Sequence, residues 1–290
     1  MTNTVDDLPR AHDGTADGLA AITDWTAGYA RRHPLASLAT LGEQYVLAVR
    51  TVQYFFVDLF TGRFQWAEFV RQAAFMAGTA VLPTVLVALP IGVTLSIQFA
   101  LLANQVGASS LAGAASGLAI IRQAASLVAA VLMASAVGSA ITADLGSRTM
   151  REETDAMEVM GVSVIRRLVV PRFGAATIVG VGLTGITFLV GFLASYLFNV
   201  YFQRGAPGSF VATFSSFATT GDMAVALLKS VVYGAIVSVI ACQKGLSTKG
   251  GPAGVANSVN AAVVESILVL MIINVGISQL DNMLFPRTGL

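Results

Sequence analysis

The chain has 290 residues, of which 55% are hydrophobic and only 11% are charged, and its mean hydropathy is +0.75. A soluble domain typically carries about 25% charged residues, so this composition argues against a soluble enzyme and indicates an integral membrane protein. The net charge of +1 argues against a nucleic-acid-binding protein, which needs a concentrated basic surface. One cysteine and two histidines exclude an internal disulfide and a Cys- or His-rich metal site.

The N-terminal part of the chain is polar. Residues 1–34 are rich in Asp and predict a disordered or weakly ordered cytoplasmic tail. In residues 35–69, apolar side chains recur at three- and four-residue steps, and Glu43, Arg50 and Asp58 interrupt any uniform apolar run. This pattern favours an amphipathic helix at the membrane interface over the alternative of a soluble amphipathic helix.

Five apolar segments follow, each long enough to cross a bilayer, which takes about 20 residues. Pro83 and Pro90 interrupt the first segment, which we expect to be tilted, kinked or broken. Glycine, alanine and serine are dense throughout and predict helices that pack closely in a bundle. The predicted spans cover residues 73–102, 118–143, 173–202, 224–241 and 259–280.

The positions of the basic residues predict the orientation. Thirteen of the 17 Lys and Arg precede span one or lie between spans two and three or between spans four and five. By the positive-inside rule, that side and the N-terminus are cytoplasmic and the C-terminus is external. The sequence therefore predicts an all-α membrane protein with one membrane domain at 70–282 and a short external tail at 283–290.

The longest loop on the predicted cytoplasmic side, residues 144–172, contains a predicted helix from Arg151 to Met160. Thr149 is placed to cap its start and Gly161 to end it. The helix combines apolar side chains with four acids, a composition suited to docking in a groove of another protein. A solvated connecting helix explains the pattern equally well.

Within this loop, residues 152–172 read EETDAMEVMGVSVIRRLVVPR, which resembles the signature of the MlaE/YrbE permeases. These are the membrane subunits of ABC-type lipid transporters that work with MCE-domain proteins. Two further stretches are similar to the same family, GSAITADLG at 138–146 and GGPAGVANSVNAAVV at 250–264, and the resemblance covers roughly residues 69–280. The matching loop positions are Glu153, Asp155, Ala156, Met157, Glu158, Met160, Gly161, Pro171 and Arg172.

The resemblance implies an MlaE-like permease fold and a non-catalytic subunit. The loop helix would be the coupling helix that fits a cleft of a separate, dimeric cytoplasmic ABC ATPase, and ATP and Mg would be bound there. This chain has no G-x-x-x-x-G-K-[ST] phosphate loop, and we expect it to bind no cofactor. The expected coupling residues are Arg151, Glu152, Glu153, Asp155, Ala156, Met157, Glu158, Met160 and Gly161.

The most similar branch is the YrbE permeases of actinobacterial Mce systems, on account of LVVPR, the Ala-Cys-x-Lys-Gly run at 241–245 and the GGP turn at 250–252. That branch implies a heterodimer with a paralogous YrbE-type chain in the plasma (inner) membrane, below a hexamer of MCE proteins. The implied cargo is a fatty acid, mycolic-type acid, sterol or phospholipid, and the usual direction is import.

A few polar residues in the spans are candidate lipid contacts. Where many family members read Arg-Glu-Leu-Gly-Pro, this chain has RQAAS at 122–126. Arg122 either snorkels to the headgroups or faces a lipid cavity, where the missing acid would leave it freer to hold an anion. Glu265 is expected to face the bundle and to pair with Lys229 or a polar helix face. The candidates are Arg122, Gln123, Gln98 and Glu265, whereas Asn104 and Gln105 are expected only to end span one.

Two other functions suit a multi-pass protein. An ATPase-independent secondary transporter or channel would favour internal repeats or several intramembrane ionisable groups, and Glu265 is the only acid deep in a predicted span. A membrane anchor or assembly subunit explains the loop helix but leaves the interrupted first span and the small-residue packing without a role. The residues favour a lipid-moving ABC permease.

Overall fold

The structure is a computed structural model that describes residue 40 and residues 42–108, 111–203 and 205–284. The chain divides into two compact units, Met1–Val46 and Leu47–Leu290. In the first unit, the described residues are helical. The predicted tail at 1–34 lies outside the described residues, as does the predicted external tail from residue 285 onward.

The second unit begins with helix α1 over residues 47–60, which is followed by a turn and by α2, Trp66–Gln105. α1 is amphipathic, because the Phe55 ring packs edge-to-face on Phe173 whereas Phe56 is exposed. The predicted interfacial segment at 35–69 therefore extends too far, since its last four residues already belong to the first long helix.

Among the described residues, five helices of the second unit are long and apolar enough to cross a membrane, which confirms the predicted all-α multi-pass membrane protein. Each helix begins before the predicted apolar segment, because backbone hydrogen bonding continues through the polar residues that flank it. All but span three, which ends one residue early at Tyr201, also end after the predicted segment. The spans one to five cover Trp66–Gln105, Ala112–Met150, Ile165–Tyr201, Thr220–Leu246 and Gly251–Met283.

Span two is a single run of helix in which two π-helical turns alternate with α-helical segments. A π turn inserts an extra residue into the helix and is frequently found at functional sites. The segments are α3 (Ala112–Ala119), a π turn (Ile120–Ala124), α4 (Ala125–Leu132), a second π turn (Met133–Gly138) and α5 (Ser139–Met150).

The remaining elements complete the bundle. A short helix, α6, covers Glu153–Val159 between spans two and three. Span three consists of a π turn, Ile165–Val169, and α7, Val170–Tyr201. The other elements are α8 (Pro207–Phe217), α9 (Thr220–Leu246) and α10 (Gly251–Leu284).

Span one is an unbroken helix of 40 residues that contains both Pro83 and Pro90. A proline inside a helix removes one backbone hydrogen bond. Near the second proline, the Thr94 hydroxyl donates to the Pro90 carbonyl at 2.8 Å. The segment was predicted to be tilted, kinked or broken, and the last alternative is wrong because the helix is continuous.

The core of the bundle lies around span four. In the most apolar stretch of 18 residues in this span, 61% is buried, against 22% in the corresponding stretches of spans one and five. Small residues allow the helices to approach closely, as predicted. At the crossing of spans three and four, a Cβ on Gly234 would lie only 2.7 Å from the Ala176 carbonyl oxygen. Gly92 of span one meets the backbone of Gly191 of span three in the same way.

Candidate functional site

The predicted coupling segment forms a shorter helix than expected. Helix α6 begins at Glu153, whereas Arg151 and Glu152 form a turn in which Glu152 has a φ of 58°. Residues with a Cβ rarely adopt this left-handed conformation. The prediction that Thr149 caps the helix is wrong, because Thr149 belongs to α5 and its hydroxyl donates to the Leu145 carbonyl at 3.0 Å.

Gly161 ends this segment, as predicted. It has a φ of 75°, and its amide donates to the Glu158 carbonyl at 2.9 Å. The next amide, that of Val162, donates to the Met157 carbonyl at 2.9 Å. These two bonds form the Schellman motif, in which glycine takes the left-handed position that a Cβ would strain.

The side chains of α6 and of the residue that follows it divide between the bundle and solvent. Thr154 is buried, and Met157 packs against the hydrophobic core. Val159 is 89% exposed and Met160 is 70% exposed, next to the exposed carboxylate of Glu158. Apolar side chains surrounded by charged ones are the composition of a protein-docking surface, so this end of the segment is available for a partner.

A buried ion pair lies at the same end of the bundle. Arg172, in the first turn of α7, is fully buried, and its Nη1 donates to the Leu168 carbonyl at 2.7 Å. Its Nη2 pairs with the Oδ2 atom of Asp144 on α5. Asp144 and Arg172 come from two separate stretches of the family resemblance, and the fold brings them into contact.

Further ion pairs extend from Asp144 to α6. The Nε atom of Arg148 lies 3.2 Å from Asp144 Oδ1, and its Nη1 lies 3.8 Å from Glu153 Oε2. The other oxygen of Glu153 lies 3.1 Å from Arg151 Nε. We call these five residues the charge series: Arg151, Glu153, Arg148, Asp144 and Arg172.

In span two, Arg122 pairs with an acid that sequence reasoning missed. Its Nε lies 2.9 Å from Asp222 Oδ1 and its Nη2 lies 3.4 Å from Oδ2. Asp222 also accepts the Thr219 amide at 2.9 Å in a capping box at the start of α9. The expectation that the missing acid leaves Arg122 freer is therefore wrong. The Thr-x-x-Asp spacing before an apolar run was an available signal for the capping role of Asp222, but not for its pair with Arg122.

Beside this pair, Lys229 connects spans two, four and five. Its ammonium donates to the Ser278 hydroxyl at 2.8 Å and to the Gln123 side-chain oxygen at 3.4 Å. Buried ionisable groups within spans are costly and commonly mark functional sites. Arg122 and Gln123 both lie on the π turn Ile120–Ala124. We call this group the polar cluster: Arg122, Gln123, Asp222, Lys229 and Ser278.

The other two candidate lipid contacts are not part of the polar cluster. The prediction that Glu265 pairs with Lys229 is wrong, because its Oε2 lies 2.7 Å from the Nζ atom of Lys244 near the end of α9. At 1.5 Å per residue, Glu265 stands about 20 Å along α10 from Ser278. Gln98 is exposed on span one.

Two cavities flank the end of span three. One, of about 350 Å³, is lined in part by the amides of Asn104, Asn199 and Gln203. Asn104, at the end of span one, thus also borders this cavity. The other, of about 390 Å³, is almost wholly apolar and is lined in part by Leu197 and Phe198. The same helix end thus borders one polar and one apolar cavity.

Comparison with known proteins matches residues 69–280 to the family described as Permease MlaE. A "Probable ABC transporter permease protein" of Synechocystis sp. is 30% identical over 253 residues, which are 87% of this chain and 95% of that protein. The chloroplastic protein Trigalactosyldiacylglycerol 1 of Arabidopsis thaliana is 29% identical over 211 residues, which are 73% of this chain and 60% of that protein. A "Probable ABC transporter permease protein" of Rickettsia bellii is 29% identical over 163 residues, 56% of this chain and 63% of that protein. These matches confirm the resemblance at family level, and the chain belongs to the MlaE family of ABC-transporter permeases.

Proposed function

We propose that this permease is the membrane subunit of a lipid transporter driven by a separate, dimeric ABC ATPase that binds ATP and Mg. The observation that carries the proposal is the exposure of Val159 and Met160 at the end of an acidic segment that ion pairs join to spans two and three. The ATPase docks on this segment, residues 151–161. The chain itself catalyses no reaction and binds no cofactor.

The proposed cargo is a lipid. Support comes from family membership and from the name of the Arabidopsis relative, which contains that of a glycerolipid, trigalactosyldiacylglycerol. Fatty acids, mycolic-type acids, sterols and phospholipids are the proposed classes. The sequence likeness to the actinobacterial branch supports an Mce importer in the inner membrane, with a paralogous YrbE-type chain as the second permease and a hexamer of MCE proteins on the external side.

The polar cluster is the proposed site for a polar headgroup. The Arg122 side chain is 35% exposed whereas that of Asp222 is fully buried, so the guanidinium can face a second anion without leaving its pair. A guanidinium carries five donors in a planar fork that suits a carboxylate or a phosphate. Gln123 adjoins it in the cluster, and contacts from Gln98 and Glu265 stay predictions.

Docking is tested by replacing the exposed apolar residues Val159 and Met160 with Asp. In a strain that expresses the native complex, a Val159→Asp, Met160→Asp double variant is expected to lower the yield of co-purified ATPase at least tenfold, because two apolar contacts would be replaced by buried charge. Val106→Asp, at another highly exposed valine near the end of span one, is the matched control and should leave the yield unchanged. Mass spectrometry of the purified complex would identify its subunits and bound lipids. A native complex that moves lipid without any ATPase would contradict the proposal.

A further inference from the structure

We propose that the Asp144–Arg172 ion pair is a positioning contact that transmits movement of α6 to spans two and three. The inference rests on the proposed function, because an ATPase must first dock on α6 and displace it. It assigns Asp144 and Arg172 a role in coupling, in addition to the role of the docking residues themselves.

The charge series runs from solvent to the core. The Arg151 side chain is 61% exposed at one end, and that of Arg172 is 1% exposed at the other. A buried charge that loses its partner is left uncompensated, which is strongly unfavourable, whereas an exposed pair is held weakly. Asp144 and Arg172 are therefore constrained to move together. The more exposed members of the series, Arg151 and Glu153, can shift when a bound partner protein moves.

The covalent connection from α6 to span three is a poor transmitter by comparison. Residues 160–163 are not helical, and span three then begins with the π turn Ile165–Val169. Such a link can absorb a displacement of α6. The Arg172 side chain bypasses it, since it binds Asp144 at the end of span two and also donates to the Leu168 carbonyl inside the π turn.

The charge series is separate from the contact that keeps α6 on the bundle. Met157 packs against the hydrophobic core, and this apolar contact does not depend on the Asp144 charge. Removing that charge should therefore leave α6 in place and able to bind the ATPase, while its movement no longer reaches the spans.

The test uses the complex with its ATPase and two variants that each replace an acid by its amide. Asp144→Asn weakens the buried pair with Arg172 and also the pair with Arg148. Asp58→Asn is the matched control, because it weakens the 2.6 Å pair between α1 and Arg166 in the same region of the molecule. Spin labels on Phe202→Cys and Met283→Cys, exposed sites near the ends of spans three and five, report movement in a Cys242→Ala background.

With ATP and vanadate, the unaltered chain is expected to change its inter-label distance, and Asp58→Asn should change it to the same extent. Asp144→Asn should retain ATPase co-purification and ATP hydrolysis within twofold, yet show a distance change at least fivefold smaller. A full distance change in Asp144→Asn would overturn the inference. Loss of ATPase assembly in that variant alone would also overturn it, because the pair would then be only a structural anchor.

A second variant covers the case in which Asp144→Asn does not fold. Arg148→Gln interrupts the charge series at a partly exposed member and leaves the buried pair intact, so the distance change should fall at least twofold. An unaltered distance change in Arg148→Gln would overturn the inference. If the unaltered chain binds no ATPase or shows no nucleotide-dependent change, the proposed function itself fails.

Discussion

At the scale of single residues, Asp222 has two structural roles. Its carboxylate caps the start of α9 through Thr219 and also pairs with Arg122, which lies 100 residues earlier in the chain. The side chain is fully buried, so both roles are carried out away from water. The Asp222 carboxylate thus caps the start of span four and also connects that span to span two.

Asp222→Asn is therefore expected to lower stability by about 2 kcal/mol, the typical contribution of a hydrogen bond to a charged group. Thermal unfolding of the purified protein in detergent measures the effect as a lower Tm. Glu68→Gln is the control, because it removes the acid from the more exposed pair with Arg71, and such pairs contribute about 0–1 kcal/mol. Equal shifts for the two variants would contradict the assigned difference.

The polar residues also show what could be read from the sequence at this scale. The Schellman position of Gly161 was predictable, since glycine after a short helix has a local signature. The partners of Arg122 and Glu265 were not predictable, because each lies on another helix. Which side chains meet depends on how far each helix is rotated and shifted along its neighbour.

At the scale of elements, close helix crossings depend on glycine at particular positions. Gly234→Ala would place a Cβ 2.7 Å from the Ala176 carbonyl oxygen, so spans three and four would have to separate. We expect a loss of about 1–3 kcal/mol, the usual cost of overpacking, measured as a lower Tm in detergent.

Gly182 offers a matched control on span three. A Cβ at this position has no atom within 4 Å, and alanine favours the helix by about 1 kcal/mol relative to glycine. Gly182→Ala should therefore leave the Tm unchanged or raise it. If both alanine variants lowered the Tm equally, close approach at Gly234 would not be the cause.

The helix boundaries illustrate a second limit of sequence reasoning at this scale. Apolar runs located all five spans, but they could not show the two π turns of span two, because an inserted residue changes backbone hydrogen bonds without any required residue type. The turn at Ile120–Ala124 carries Arg122 and Gln123, two members of the polar cluster.

At the scale of the whole molecule, the distribution of basic residues predicts a single orientation in the membrane. In the Cys242→Ala background, a cysteine at Val159 should react with a membrane-impermeant maleimide only after the cytoplasmic side is opened. A cysteine at Phe202 should react in intact cells, since it lies at the opposite end of span three. Both positions are exposed in the structure, and the chain is produced without its ATPase, so neither burial nor docking masks them. Reaction of Val159→Cys in intact cells would contradict the predicted orientation.

The sequence by itself determined the class of protein, the number of spans, the place of the loop helix and the family. These properties depend on summed hydropathy over about 20 residues and on local motifs, which are readable along one segment. The tertiary structure alone decided which charges meet, including Arg122 with Asp222, Asp144 with Arg172 and Lys244 with Glu265. The physical reason is that charges in a poorly solvating interior need partners, and packing between helices selects which partners come within reach.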